Sequence, residues 1–489
     1  MQTIKIILLL FSVCNFLLAF KYLKDNKIRH SIFTIVLGGL ILRVIISLDV
    51  ELHEWDERYH ALVAKNLINH PLKPTLYDTP VLNYDYKDWM TNHIWLHKQP
   101  LPLWAIAISL KFFGNSAFNV RIPSILISTF CIFLIFMIGK KLINEKTGIL
   151  SAFLFAVNGL IIELVGGRVA TDHIDTFFLG FFLMAIYLIL HYSNKLILKT
   201  NLLIGFFVGL SMLCKWLPGM FVIPIFLFAN YQIFKKTPKK YFTSVAIILT
   251  TSLIIFLPWQ IFTYINYSTE MKYEIFYNFI HFTKEVESHS GPWYYYMDKI
   301  RINYGEFIYV PILWFGVYYY KRNLNTYKIL LFWILIPLLF FSIAKTKMQG
   351  YIIIIAPALF ILTSIFYFHL NSIFYSKFRF LRIIFQIAII ILPIRYCFER
   401  LKPFSNENNR FVEKLIIMNK SITNDNSVLF NCNNPIEAMF YTKIKAAYKF
   451  YPSDKIIDSL YKCNYQIFIN ETDKSNFDTY QKIIPVKLN

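Results

Sequence analysis

The sequence predicts a mainly α-helical, polytopic membrane bundle of about twelve spans, followed by a small C-terminal α/β domain. Three observations predict it. First, 56% of the 489 residues are apolar and only 16% are charged, with a mean hydropathy of +0.47, whereas a soluble chain carries about 25% charged residues. Second, the apolar residues come in runs of roughly 17–25, the length that crosses a bilayer. Third, composition changes in the tail 405–489, which reads as mixed strand and helix. A single soluble core stops growing near about 250–300 residues, so lipid is the solvent for most of this chain.

The apolar segments fall at 5–20, 31–48, 119–139, 149–166, 174–192, 201–217, 219–234, 242–260, 304–320, 327–344, 350–368 and 382–398. Segment 5–20 has no small-residue cleavage site and is followed by basic residues, so it reads as a retained helix rather than a removed signal. Basic residues mark every second gap: Lys21, Lys24, Lys27 and Arg29; Lys140, Lys141 and Lys146; Lys195 and Lys199; Lys235, Lys236, Lys239 and Lys240; Lys321, Arg322 and Lys328; Lys377, Arg379 and Arg382. Those gaps share one side, and the enrichment of Lys and Arg assigns it to the cytoplasm. The outward gaps are then 49–118, 167–173, 217–218, 261–303, 345–349 and the tail from 399. This divides the chain into a membrane domain, 1–400, whose first extracytoplasmic loop is 49–118, and a soluble extracytoplasmic domain, 401–489.

Within the first loop, 58–69 and 101–113 read as short helices, the second lying at the membrane interface. In the tail, Ser427–Phe430 and Tyr465–Ile469 read as strands, with helices over 411–419 and 435–441.

The net charge of +21 is the charge of cytoplasmic loops rather than a nucleic-acid footprint, since no basic helix or zinc-ligand spacing accompanies it. Six cysteines form no CxxC pair, which argues against structural zinc. Four lie in apolar runs; Cys432 and Cys463 fall in the tail, where a disulfide is chemically permitted.

Chemistry-bearing residues concentrate in the outward gaps. Trp55-Asp56-Glu57-Arg58-Tyr59-His60 sets two acids and a cation just past the second span. A carboxylate there can take an acceptor proton, although acids also favour any helix N-terminus. His97-Lys98-Gln99-Pro100 puts Lys98 ahead of a helix started by proline, where an anion is held; an interfacial lysine that snorkels is the plainer alternative. Arg168 to Asp175 places acids at a span boundary, where they face a cavity or a partner, and Arg168 with Asp172 one turn on can form a simple ion pair. Lys215 is a similar case.

Glu285–Tyr296 leads into an aromatic cluster that includes Trp293; rings here can stack on sugars or form an interfacial belt. His289, beside Glu285 and Glu287, is the candidate ligand for a divalent metal. Lys345 and Lys347 are cations on the side where positive-inside statistics disfavour them, which points to an anion held there.

Taken in order, these segments resemble the bacterial family 39 glycosyltransferases of the GT-C superfamily, which include protein O-mannosyltransferases and lipid A aminoarabinose transferases. Asp56-Glu57 resembles the family's acidic pair and Arg58-Tyr59 the Arg-Tyr after it; Lys98-Gln99-Pro100 resembles its Lys-Pro-Pro element. Phe112-Phe113-Gly114 and Arg121-Ile122-Pro123 are similar to the approach to its next span. Arg168 to Phe178 resembles the second-loop pattern, with Asp172 at the acidic position; Lys215, His289 to Tyr296 and Lys345 to Pro357 look like later elements. The resemblance covers about residues 40–370. It departs at His97, where the family often has a carboxylate, and at 77–96, which exceeds the usual spacing and is expected to shape the acceptor side.

The resemblance implies a GT-C enzyme of the bacterial inner membrane with its site on the periplasmic face. It would move a sugar, with inversion, from a polyprenyl-phosphate donor to a lipid or protein acceptor. Asp56 would be the base, with Glu57 and Asp172 beside it. Arg58, Lys98, Lys345, Lys347 and Tyr351 would hold the lipid phosphate, and Tyr59, His97, Arg168 and Trp293 the substrates. No cofactor is required by the motifs, and a divalent metal at His289 is the one addition they allow. The rival readings are a polytopic transporter, which would carry its charges at the bilayer midplane, and an oligosaccharide-transferring GT-C enzyme.

Overall fold

The computed structural model describes residues 2–193, 195–317, 324–373, 379–402, 409–470 and 483–488. The basic residues Lys321, Arg322 and Lys377 lie outside these.

Among the described residues, nine helices are long and apolar enough to cross a membrane: Thr3–Lys24, Ile28–Ser47, Ala117–Leu142, Asp172–His191, Leu198–Lys215, Pro238–Asn266, Asn325–Ile343, Gln349–Ser372 and Arg379–Arg400. The expected span at 149–166 is a pair, Glu145–Ala156 and Gly159–Val165, bent by 56°. Asn158 makes the break: its side chain accepts from the Ile161 N–H at 3.1 Å and starts a new helix. The segments at 219–234 and 304–320 are short apolar helices, Leu217–Ala229 and Glu306–Val317, rather than full-length spans. The first of these cannot continue the preceding helix, because Trp216 turns to a positive φ of 54° ahead of Pro218.

The six gaps expected to face outward meet at one end of the bundle. Lys98 of the first loop reaches Asp56 beside Thr171 of the second, and Lys215 pairs with Asp175. The Trp89 indole donates to Glu287 at 2.8 Å, and the Lys347 N–H donates to the His289 carbonyl at 3.0 Å. The tail closes on the same face: the Arg168 guanidinium donates to the carbonyls of Arg400 and Lys402, each at 2.8 Å.

The tail carries a four-stranded, all-parallel sheet of β1 (Ser427–Phe430), β2 (Ala446–Ala447), β3 (Gln466–Asn470) and β4 (Ile483–Val486), in the order β2-β1-β3-β4. Val428 stands opposite Ala446 on one side and Ile467 on the other. The central strands are buried at residues 428–430 and 467–469, which is why these stretches are continuously apolar rather than alternating. Cys432 and Cys463 are both free thiols.

The sheet shares one apolar core with the first loop. Leu62, Leu67 and Trp95 of the loop join Phe430, Phe440 and Ile457 of the tail. The Lys65 ammonium pins this contact by donating to the carbonyls of Met439 (2.7 Å), Phe440 (3.0 Å) and Thr442 (2.7 Å). These are the free carbonyls at the end of helix Pro435–Tyr441, where a cation is favoured.

Candidate active site

Helix Asp56–Leu67 opens with two acids whose side chains go to opposite environments. Glu57 turns inward and is fully buried. Its carboxylate accepts from Arg121 through Nε (2.7 Å) and Nη2 (2.8 Å) and from the His53 N–H (2.8 Å). Gly167, at φ 73°, closes over it; a Cβ there would lie 2.2 Å from Glu57 Oε1. Burial opposes ionisation, but the Arg121 guanidinium and the bonded imidazoles win and hold the Glu57 carboxyl well below its ordinary value. Both oxygens of Glu57, expected in a catalytic place, are engaged in a closed pocket, where they anchor the start of the helix.

Asp56 turns outward. Its Oδ2 accepts from the Thr171 N–H at 3.1 Å and lies 3.3 Å from Lys98 Nζ. Burial would raise this carboxyl, yet the Lys98 ammonium, with His60 and His97 nearby and the Thr171 N–H, holds it well below the usual range. Asp56 in turn pulls Lys98 upward against burial. Lys98 is set by the proline-started helix Pro100–Phe113. Thr171 caps helix Asp172–His191 from a left-handed conformation, φ 69° and ψ −14°, an uncommon state for a β-branched residue. Strain of this kind costs about 1–3 kcal/mol and collects at functional sites.

Asp172 is buried behind this pair and bonds through Oδ1 to His60 Nδ1 at 2.8 Å, while its Oδ2 has no hydrogen-bond partner. His60 lies four residues after Asp56 on one helix face; it bonds Asp172 through Nδ1 and lies near Asp56, while its Nε2 has no hydrogen-bond partner among the described residues. Asp175 accepts from the Thr171 hydroxyl and from Lys215, and Lys215 sits over the Tyr351 ring, 5.0 Å from its centroid. Tyr351 thus joins the cluster.

His97 stacks on Trp89 with centroids 4.5 Å apart and planes within 4°, and its Nδ1 lies 3.6 Å from Glu274. Glu287 accepts from both Trp89 (2.8 Å) and Tyr277 (2.9 Å), which locks 77–96 to the aromatic segment.

Several expected residues lie elsewhere. Arg168 does not pair with Asp172: its Nε donates to Asp49 at 2.8 Å, and Asp49 also holds Lys5 at 2.8 Å. The Arg168 Nη2 also donates to Asp49, and its Nη1 donates to the two tail carbonyls, so Arg168 joins bundle and tail. Arg58 pairs with Glu437 at 3.2 Å and covers the Tyr59 ring, which packs on Trp89. Lys347 is buried, with its ammonium 2.5 Å from the Ala344 carbonyl, whereas Lys345 is exposed. Trp293 is 72% exposed, as an interfacial ring is. Among the described residues, no three His, Cys, Asp or Glu side chains, His289 included, stand together as a metal site.

The residues missed from sequence are His60, Asp49 and Thr171. His60 had a signal in its spacing from Asp56; the others are joined to partners more than a hundred positions away.

Residues 97–262 match the family described as dolichyl-phosphate-mannose-protein mannosyltransferase. The undecaprenyl phosphate-α-4-amino-4-deoxy-L-arabinose arabinosyl transferase of Pseudomonas aeruginosa strain UCBPP-PA14 is 24% identical over 279 residues, 54% of this chain and 49% of that protein. The transferase of the same name from Wigglesworthia glossinidia brevipalpis is 25% identical over 348 residues, 68% of this chain and 58% of that protein. The chain spans about half the length of the first of these curated relatives. In fold it is similar to ArnT from Cupriavidus metallidurans bound to undecaprenyl phosphate, with a TM-score of 0.60, 12% identity, and 88% and 87% of the two chains covered. It is also similar to the oligosaccharyltransferase AglB from Archaeoglobus fulgidus, with a TM-score of 0.52, 12% identity, and 85% and 64% covered. The chain therefore has the GT-C membrane fold, and its residues 97–262 are similar to the protein mannosyltransferase family, in line with the resemblance of its motifs.

Proposed function

We propose that the chain is an inverting glycosyltransferase that moves a sugar from a polyprenyl-phosphate carrier to a lipid or protein acceptor at the outer face of a bacterial inner membrane. The membrane part would be residues 1–400 and the extracytoplasmic domain 401–489. The observation that carries this reading is the Asp56–Lys98 pair at 3.3 Å, held on the Thr171 N–H at the end where the outward gaps meet. An acceptor hydroxyl or amine attacks the anomeric carbon, and its proton passes to Asp56. The bond from that carbon to the phosphate oxygen breaks on the opposite face, and the polyprenyl phosphate leaves with the electron pair.

Lys98 is the cation best set to meet the growing charge on that phosphate. Lys215 and the exposed Lys345, with Tyr351 between the cluster and the bundle, are the next candidates. Asp172, through His60, keeps the imidazole and Asp56 in register. His97 and Tyr59 shape the acceptor side through Trp89.

The test is Asp56→Asn in purified, membrane-reconstituted protein. The isostere keeps shape and loses basicity, so transfer from a polyprenyl-phosphate sugar falls by a factor of about 10²–10⁴ with unchanged expression and melting. Near-normal turnover removes Asp56 from the chemistry.

A further inference from the structure

A cleft of about 430 Å³ opens between the first loop and the tail sheet, on the flank of helix Asp56–Leu67 away from the Glu57 anchor. Its walls come from the long segment 77–91 and from Tyr448–Phe450. We propose that this cleft is a saccharide-binding site that holds a sugar ring of the acceptor, other than the reacting one. The acceptor role rests on the function proposed above; the binding itself does not.

Four observations carry it. The volume lies in the range of about 300–1,000 Å³ that takes small ligands. The lining joins aromatic faces to polar groups of both signs, the combination that a sugar's C–H face and hydroxyl rim require. Tyr448 stacks between Tyr77 and Phe430, with planes 22° apart on each side, and the rings of Tyr84 and Phe450 are 43% and 46% exposed. Around them stand Asp85, Asp88, Arg58 and Lys449. The Arg58 guanidinium lines the cleft while its Nη1 pairs with Glu437 at 3.2 Å, a cationic donor beside the aromatic faces.

The walls are also already rigid, so little ordering is left to do on binding. Asp88 accepts from the Met90 N–H (3.0 Å) and the Thr91 hydroxyl (2.6 Å), and Asn66 ties the loop base to the carbonyls of Thr75 and Leu76. Finally, Arg58 and Tyr59 line the cleft from the same helical turn that begins with Asp56, at a rise of about 1.5 Å per residue. A ring seated here lies beside the helical turn that carries the proposed base, where remote binding energy serves the reaction.

Other occupants fit less well. An acyl chain meets four charged side chains. A peptide adding to the sheet edge finds that edge used: the Tyr77 hydroxyl donates to the Ala447 carbonyl at 2.8 Å, and the carbonyls of Tyr448 and Phe450 accept from Cys432 and Asn431.

The experiment is saturation-transfer NMR on the full chain in sugar-free amine-oxide micelles. The probes are the methyl glycosides of mannose, galactose and N-acetylglucosamine at millimolar concentration. At least one should receive saturation, and Phe450→Ala and Tyr84→Ala, both at exposed rings, should each weaken binding about tenfold. Saturation of none of the three, or equal signals in both variants, overturns the site.

In transfer assays the same variants should lose about tenfold in kcat/KM for the acceptor, through KM. Unchanged acceptor KM in both overturns the acceptor role. Asp56→Asn should keep glycoside binding; if it binds the glycoside and also turns over normally, the proposed catalysis fails while the sugar site stands.

Discussion

Lys98 and Asp56 form a charge pair, 3.3 Å from Nζ to Oδ2, in which each side chain keeps an edge open, 19% and 15% exposed. The neighbouring pair, Arg121 with Glu57, is sealed at 0% on both sides. Adjacent acids in one sequence motif therefore meet different surroundings: one keeps an open edge, the other is locked against a guanidinium.

The open pair keeps Asp56, the proposed base, ionised down to unusually low pH. With Lys98 present, its carboxyl lies well below the ordinary range near 3.8, so it is ionised throughout neutral and mildly acidic conditions. Lys98→Gln removes the largest opposing charge while burial, which favours the protonated acid, remains. The acid limb of the pH dependence of kcat/KM should then move to higher pH, with weaker use of the lipid-phosphate donor besides. A limb that does not move separates Lys98 from Asp56 in the working enzyme.

The sealed pair predicts a stability effect instead. Leaving a buried charge unpaired costs about 3–5 kcal/mol, so Arg121→Met should lower the melting temperature sharply and reduce the folded yield. The Glu57 carboxyl is depressed from 4.5 in the folded chain, so its contribution is complete above that unfolded value and is lost as pH falls below it toward the folded one. Melting of the native protein should drop through that acid window, and Glu57→Gln should flatten the drop. Gly167→Ala should mimic Arg121→Met, since its methyl meets the same carboxylate. A melting curve unaffected by either change would show that the anchor carries little.

How legible this was depended on the range of each interaction. The acidic start of helix Asp56–Leu67 and the proline start of Pro100–Phe113 were readable because caps and dipoles act within one turn. Strand β1 was readable because a buried parallel strand is continuously apolar. Strand β2 was not, being two alanines fixed only by their neighbour β1, and Ile483–Val486 hid behind its proline. At the site, Arg168 stood one turn from Asp172 and suggested a pair, but its guanidinium goes to Asp49, 119 positions away. The left-handed turn at Thr171 is imposed by the span that follows, and nothing in its side chain announces it.

His60 bonds the buried acid and lies near the open one, so its effect should separate from that of either. His60→Asn keeps a hydrogen-bonding group but removes the imidazole that sits between Asp172 and Asp56. Transfer should fall about tenfold to a hundredfold with acceptor and donor KM little changed, as expected of a positioning residue, and its pH profile should shift. Asp172→Asn should give a loss of similar size, and the double variant should lose no more than the larger single one, because contacting residues are not additive. Full additivity would place His60 and Asp172 in separate roles.

Lys65 tests whether the tail is needed where it sits. Its ammonium donates to three carbonyls at the end of helix Pro435–Tyr441, and no other side chain on the loop helix reaches that terminus among the described bonds. Lys65→Met keeps the aliphatic stem and strands the carbonyls, at about 1–3 kcal/mol for buried acceptors. Deuterium uptake should rise first in 435–442 and next in 77–91, which the same sheet supports through Tyr77 and Tyr448, while spans such as Asp172–His191 stay protected. If transfer also falls and acceptor KM rises, the tail helps to form the acceptor side. Uptake confined to 435–442 with unchanged kinetics would instead make Lys65 a local cap with no bearing on the site.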